Sequence, residues 1–182
     1  VLPGRGQYTA FNTSLVAESK AKFRKAACNT THSLAFRAEG VRFAKRLGGR
    51  RIRSSEVAQM LGIESLTLEM PPAADGTPVT KTLSASYLAS RVMLALRSYC
   101  QSADAEIRPE HFRYIDGIDL PSRGRRTYSN NKKVREHLLA FARKAWADLT
   151  NPEGLLPFSH DVYVKVWQLG SPYIACDYLL LD

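Results

Sequence analysis

The stretch TLSASYLASRVMLALRSYC, residues 82–100, decides how the fold is read. Leu83, Tyr87, Leu88, Val92 or Met93, Leu94, Leu96 and Tyr99 recur at helical spacing and make a broad apolar stripe. Such a stripe must be covered, so this helix is expected at the centre of the core. Towards the C-terminus, Asn131 is placed to cap a second helix, in which Val134, Leu138, Phe141 or Ala142, Ala145 and Leu149 repeat. The run Asn151-Pro152-Glu153-Gly154 ends it.

Working back towards the N-terminus, Pro71, Pro72, Gly76 and Pro78 mark an exposed connection with a short strand on either side. Ser54–Leu61 is predicted as a short helix capped by Ser54, with Val57, Ala58 and Leu61 facing inward and Gly62 ending it. Leu34–Leu47 and Ser14–Cys28 are predicted as basic helices separated by the turn formers Asn29-Thr30-Thr31, and residues 1–13 as an extended arm. At the far end, Val162, Val164 and Val166 alternate with Tyr163, Lys165 and Trp167, and Gly170-Ser171-Pro172 precedes Tyr173–Leu181. That alternation predicts a β-hairpin. The expected fold class is therefore mainly α with a C-terminal β-hairpin, built on a small basic helical core with a helix-turn-helix-like element.

The charge is uneven. The chain of 182 residues has 26 Lys and Arg against 17 Asp and Glu, a net charge of +9. Eleven basic residues and one acid, Glu39, lie between Lys20 and Arg53; ten basic residues and four acids lie between Arg108 and Lys144. From Ala145 to Asp182 the sign reverses, with five acids against Lys165. Two arginine-rich blocks favour a polyanionic partner, because arginine matches phosphate bidentately. Cys28, Cys100 and Cys176 lie too far apart for metal-ligand spacing, and their odd, sparse count predicts neither a disulfide framework nor a secreted setting. No run of apolar residues is long enough to span a membrane, so no membrane partner is expected.

Little in the sequence suggests catalysis. His32, His111, His137 and His160 sit in unrelated contexts, and no phosphate loop, nucleophile elbow or helical His pair is present. Asp116 and Asp119 read better as loop carboxylates or arginine partners than as a metal pair. No enzyme activity, catalytic residue, cofactor or metal is expected.

The segment DLPSRGRRTYSNNKK, residues 119–133, carries more weight. Pro121 stiffens the lead-in, and Gly124 allows close backbone approach to a ribose-phosphate chain. Arg123, Arg125 and Arg126 offer forked donors, Thr127, Ser129, Asn130 and Asn131 neutral ones, and Tyr128 a ring for a base to stack on. From composition alone, a solvated basic loop fits equally well.

This segment resembles the signature of the universal small-subunit ribosomal protein thirteen family, Leu-Pro-x-Arg-Gly-x-Arg-Thr followed by Asn and basic residues. Leu120, Pro121, Arg123, Gly124, Arg126 and Thr127 match in register, and Asn130 falls on the family's asparagine. Upstream, Gly48, Arg53, Ser54, Val57 and the Gly62-Ile63 pair resemble the family's helix-turn-helix-like stretch, although Arg50 stands where its second glycine would be. The likeness covers residues 47–133 and implies an RNA-binding core there, flanked by a basic N-terminal extension over 1–46 and a C-terminal extension over 134–182. It implies a structural component of the small ribosomal subunit, bound to rRNA in the subunit head near the decoding-site transfer RNA and an intersubunit bridge. The RNA-binding residues it implies are Arg50, Arg51, Arg53, Arg123, Gly124, Arg125, Arg126, Thr127, Asn130, Lys132 and Lys133. Partners would be small-subunit rRNA, neighbouring head proteins, transfer RNA and large-subunit bridge elements. The added ends point to an organellar ribosome in the mitochondrial matrix, with another organelle or the cytoplasm as the alternative. A competing reading is a DNA-binding helix-turn-helix regulator using Arg50, Arg51 and Arg53 at the start of the Ser54 helix, which is short for reading a groove.

Overall fold

The computed structural model describes residues 3–119 and 129–182. The chain divides into two compact units, one from Val1–Gly48 with Phe158–Asp182, the other from Gly49–Pro157.

The first unit is built on a parallel sheet. Strand β1 (Gly6–Ala10) lies between β2 (Ala26–Thr30) and β5 (Tyr178–Leu181), and both neighbours run parallel to it. Helix α1 (Thr13–Lys22) makes the crossover from β1 to β2. Its cap is Asn12, whose side chain accepts the Leu15 N–H at 2.9 Å. Tyr8 and Ala10 on β1, Cys28 on β2 and Val16 on α1 form one small core, with Leu180 of β5 packed against it. Gly6 has a steric reason. A β-carbon there would sit 2.4 Å from the Tyr178 ring, so a side chain at this position would force that ring to move.

Helix α2 (Thr31–Ala38) follows β2 directly, capped by Thr30. A 3-10 helix (Gly40–Arg46) continues it after a break at Glu39. Helix α6 (His160–Leu169) packs against both. Ala35, Phe43 and Tyr163 are buried there, with Phe36, Leu47, Phe158, Val164 and Trp167 around them. Lys165 is also fully buried, its ammonium donating to Gln168 Oε1 at 2.8 Å.

The second unit keeps the helical order expected of it and adds a hairpin. Helix α3 (Ser54–Leu61) has the predicted bounds and buries the predicted Val57, Ala58 and Leu61. Gly62 ends it in the left-handed region at φ 73°, where glycine is favoured. The cap position is Arg53 rather than Ser54, and the Arg53 N–H is held by Glu56 Oε1 at 3.3 Å. The short strands expected on either side of the Pro- and Gly-bearing connection are β3 (Leu66–Met70) and β4 (Val79–Leu83), and they pair antiparallel. Helix α4 (Ala85–Cys100) is capped by Ser84, so Thr82 and Leu83 belong to β4 instead. Helix α5 (Asn130–Leu149) starts before Asn131, which sits in its first turn and is not the cap. α4 packs against both α3 and α5. It buries Leu88, Ala89, Val92, Ala95, Leu96 and Tyr99, and α5 buries Val134, Leu138, Ala142, Ala145 and Leu149.

The expected fold class does not hold: the chain is α/β, not mainly α with a C-terminal hairpin. The alternating valines at 162–166 lie on α6, where Val162, Tyr163 and Lys165 are buried, so burial does not follow the alternation that a hairpin with one solvated face requires. Ser159 and Asp161 at the N-terminus and Gly170 at the end suit a helix there. The supposed arm of residues 1–13 contains the central strand of the sheet. The predicted helix over Ser14–Cys28 stops at Lys22, because Ala26–Thr30 is drawn into pairing with β1. The predicted helix over Leu34–Leu47 is divided at Glu39 between α2 and the 3-10 helix, with Gly40 weakening helix continuation.

Candidate nucleic-acid interface

Two neighbouring asparagines govern the start of α5, and both are buried. Asn131 Nδ2 donates to Ile115 O at 2.9 Å, while Ile115 N–H donates to Asn131 Oδ1 at 2.8 Å. The side chain therefore acts as a backbone partner for a segment without regular structure. The Asn131 N–H donates to Asp119 Oδ1 at 2.8 Å. Asn130 Nδ2 donates to Ile118 O and to Glu69 O, each at 3.0 Å, which ties the same place to β3. Asp119 and Asn130 thus belong to one hydrogen-bonded base.

Between those two points lie Arg123, Gly124, Arg125, Arg126 and Thr127, which fall outside the described residues. The remaining predicted contacts can be placed. Lys132 and Lys133 are exposed just past the base, Lys132 lying 3.9 Å from Glu136. Arg50, Arg51 and Arg53 are exposed ahead of α3. Arg50 donates to Glu56 Oε2 at 2.6 Å, and this bond, then the Arg53 N–H, holds the Glu56 carboxyl below its ordinary range. Arg51, Arg53 and Lys133 have no ion-pair partner among the described residues. Asn130 is only 1% exposed, and its amide is used inside the protein.

No family model, curated protein or solved structure matches the chain.

The acidic and histidine groups weighed for chemistry do other things. Asp119 receives the Asn131 N–H, and Asp116 is exposed. Among the described residues, no group of three or more His, Cys, Asp or Glu is placed to hold a metal ion. His111 is buried, accepting the Arg108 N–H at Nδ1 and lying 3.0 Å from Asp104 Oδ2 through Nε2. His137 meets Phe141 edge-on. His32 and His160, far apart in sequence, both meet the Tyr163 ring edge-on, and His32 lies 3.9 Å from Asp161. Only packing brings that group together.

The sequence had flagged Asn130 and Asn131 as neutral donors for RNA, and their interior role was not legible. One signal did point to it. Adjacent asparagines at a helix start, eleven and twelve residues after an aspartate, suit bonds to nearby backbone as well as they suit a ligand.

Proposed function

We propose that this chain is a non-enzymatic RNA-binding protein whose second unit offers the arginine-bearing segment after Asp119 to RNA phosphates. The observation that carries this reading is the hydrogen-bonded base formed by Asp119, Ile118, Ile115, Asn130 and Asn131. A basic segment fastened at both ends loses less conformational freedom on binding than a free tail. Arg51, Arg53 and Lys133 are exposed in the same unit and add further donors.

Within that reading, a structural protein of the small ribosomal subunit is the specific form we propose, in an organelle such as the mitochondrion. It rests on the match of Leu120, Pro121, Arg123, Gly124, Arg126 and Thr127 to the family signature. RNA is favoured over duplex DNA because α3 carries no lysine or arginine of its own and is only eight residues long.

The test is sedimentation of the tagged chain through a gradient of cell or organelle extract. Co-migration with small subunits, lost after ribonuclease treatment, is expected. Migration as a free protein would defeat the ribosomal form. RNA binding in general is tested by the salt dependence of affinity for an RNA hairpin. Replacing Arg123, Arg125 and Arg126 together should lower the slope by about 2–3, at roughly 0.7–0.9 per phosphate contact. An unchanged slope would remove this segment from the interface.

A further inference from the structure

We infer that the turn joining α1 to β2, in the first unit, is a further surface for RNA phosphates; this rests on the RNA-binding reading above. Lys20, Lys22, Phe23, Arg24 and Lys25 are all exposed within six residues. The Phe23 N–H donates to Ser19 O at 2.7 Å, and the Ala26 N–H donates to Phe23 O at 3.0 Å. Arg24 and Lys25 therefore occupy the two corner positions of a closed turn. The Phe23 ring stacks on Tyr8 of the central strand, with centroids 5.4 Å apart and planes 26° apart. Tyr8 Oη in turn donates to Asp182 Oδ2 at 2.8 Å. The cations are thus carried on a turn fixed to the sheet, which lowers the entropy lost when they bind.

Their chemistry is not used up inside the protein. Glu18 takes Lys22 at 2.5 Å, while Lys20, Arg24 and Lys25 have no ion-pair partner among the described residues. Cations in the last turn of a helix also serve its dipole, and that accounts for Lys20 and Lys22. It does not account for Arg24 and Lys25, which lie beyond the helix. The helix end contributes only about half a negative charge, against three cations with no ion-pair partner among the described residues. An anionic membrane would attract the same charges. The one large apolar side chain of the turn, Phe23, is stacked on Tyr8, and α1 has no wide apolar face to lie in a bilayer surface. RNA needs only the phosphate contacts.

The experiment measures affinity of the full chain for a uridine homopolymer and for an RNA hairpin across a series of KCl concentrations. The probe variant is Lys20→Gln, Arg24→Gln, Lys25→Gln, read beside the variant Arg51→Gln, Arg53→Gln, Lys133→Gln. For the first variant the slope should fall by about 2 on the single strand, at roughly 0.7 for each of three contacts. A charge-preserving variant, Lys20→Arg, Arg24→Lys, Lys25→Arg, should keep the wild-type slope, which separates charge from folding. Wild-type slope in the Gln variant, with the second-unit variant still weakened, would overturn this inference and leave the RNA-binding reading standing. No salt-dependent RNA binding by the wild-type chain would overturn both. Loss of binding to vesicles of phosphatidylserine and phosphatidylcholine in the Gln variant, with RNA affinity unmoved, would assign the turn to a membrane and overturn it.

Discussion

Asn131 and Ile115 hold each other by two hydrogen bonds, Nδ2 to the Ile115 carbonyl at 2.9 Å and the Ile115 N–H to Oδ1 at 2.8 Å. Both ends of one side-chain amide thus meet both polar groups of one buried residue. Replacing Asn131 with Ala should leave two buried backbone groups without partners, at about 1–3 kcal/mol each. Chemical denaturation should show a loss of roughly 2–5 kcal/mol. A loss below about 0.5 kcal/mol would mean that water takes over both bonds.

Asn130 separates a structural role from an RNA contact. Its Nδ2 serves two carbonyls, so Asn130→Asp puts a carboxylate where a donor is needed. The variant should be less stable than Asn130→Ala. RNA affinity of the folded fraction should fall no further than in Asn131→Ala, which loosens the same base, as measured by calorimetry after removal of aggregates. Weaker binding by a fully folded Asn130→Ala protein that Asn131→Ala does not share would make Asn130 a direct contact after all.

Gly6 tests the pairing that replaced the predicted hairpin. Gly6→Val forces side-chain atoms into the Tyr178 ring, which already lies 2.4 Å from the β-carbon position. Overpacking of this kind typically costs about 1–3 kcal/mol. Tyr178→Ala in the same protein should recover part of that loss. Stability that is additive across the two sites, with no recovery, would show that β5 does not lie beside β1 in solution.

The Glu56 carboxyl should titrate below its ordinary value of 4.5, chiefly because Arg50 donates to it and then because the Arg53 N–H does. A lowered carboxyl contributes stability above its unfolded pKa, and loses that contribution as the pH falls through the folded value. Side-chain carboxyl NMR should place the midpoint under 4.5 in wild type and move it upward in Arg50→Ala. An identical midpoint in both proteins would mean that the ion pair does not persist in solution.

Short-range patterning was enough to find the three α-helices of the second unit, though not their caps. Val57, Ala58 and Leu61 repeat at helical spacing next to Gly62, and α3 has the bounds that this pattern predicts. The apolar stripe of α4 and the prolines around the β3–β4 connection likewise state their structure locally, because each depends on neighbours within a few residues. The basic strip after Asp119 is equally plain as composition. The first unit was decided by tertiary pairing. Gly6 and Tyr178 are partners in neighbouring strands, and the adjacent contact between Arg5 and Asp177 spans 172 residues. No window of sequence contains such a pair, and a parallel sheet leaves no turn signature between its strands. The valines at 162–166 alternate as a strand would, yet lie on a helix, because the surface offered by α2 and the 3-10 helix buries Tyr163 beside Val162. Packing also turned Asn130 and Asn131 inward, since buried carbonyls and N–H groups around Ile115 and Ile118 need partners that the local backbone does not supply.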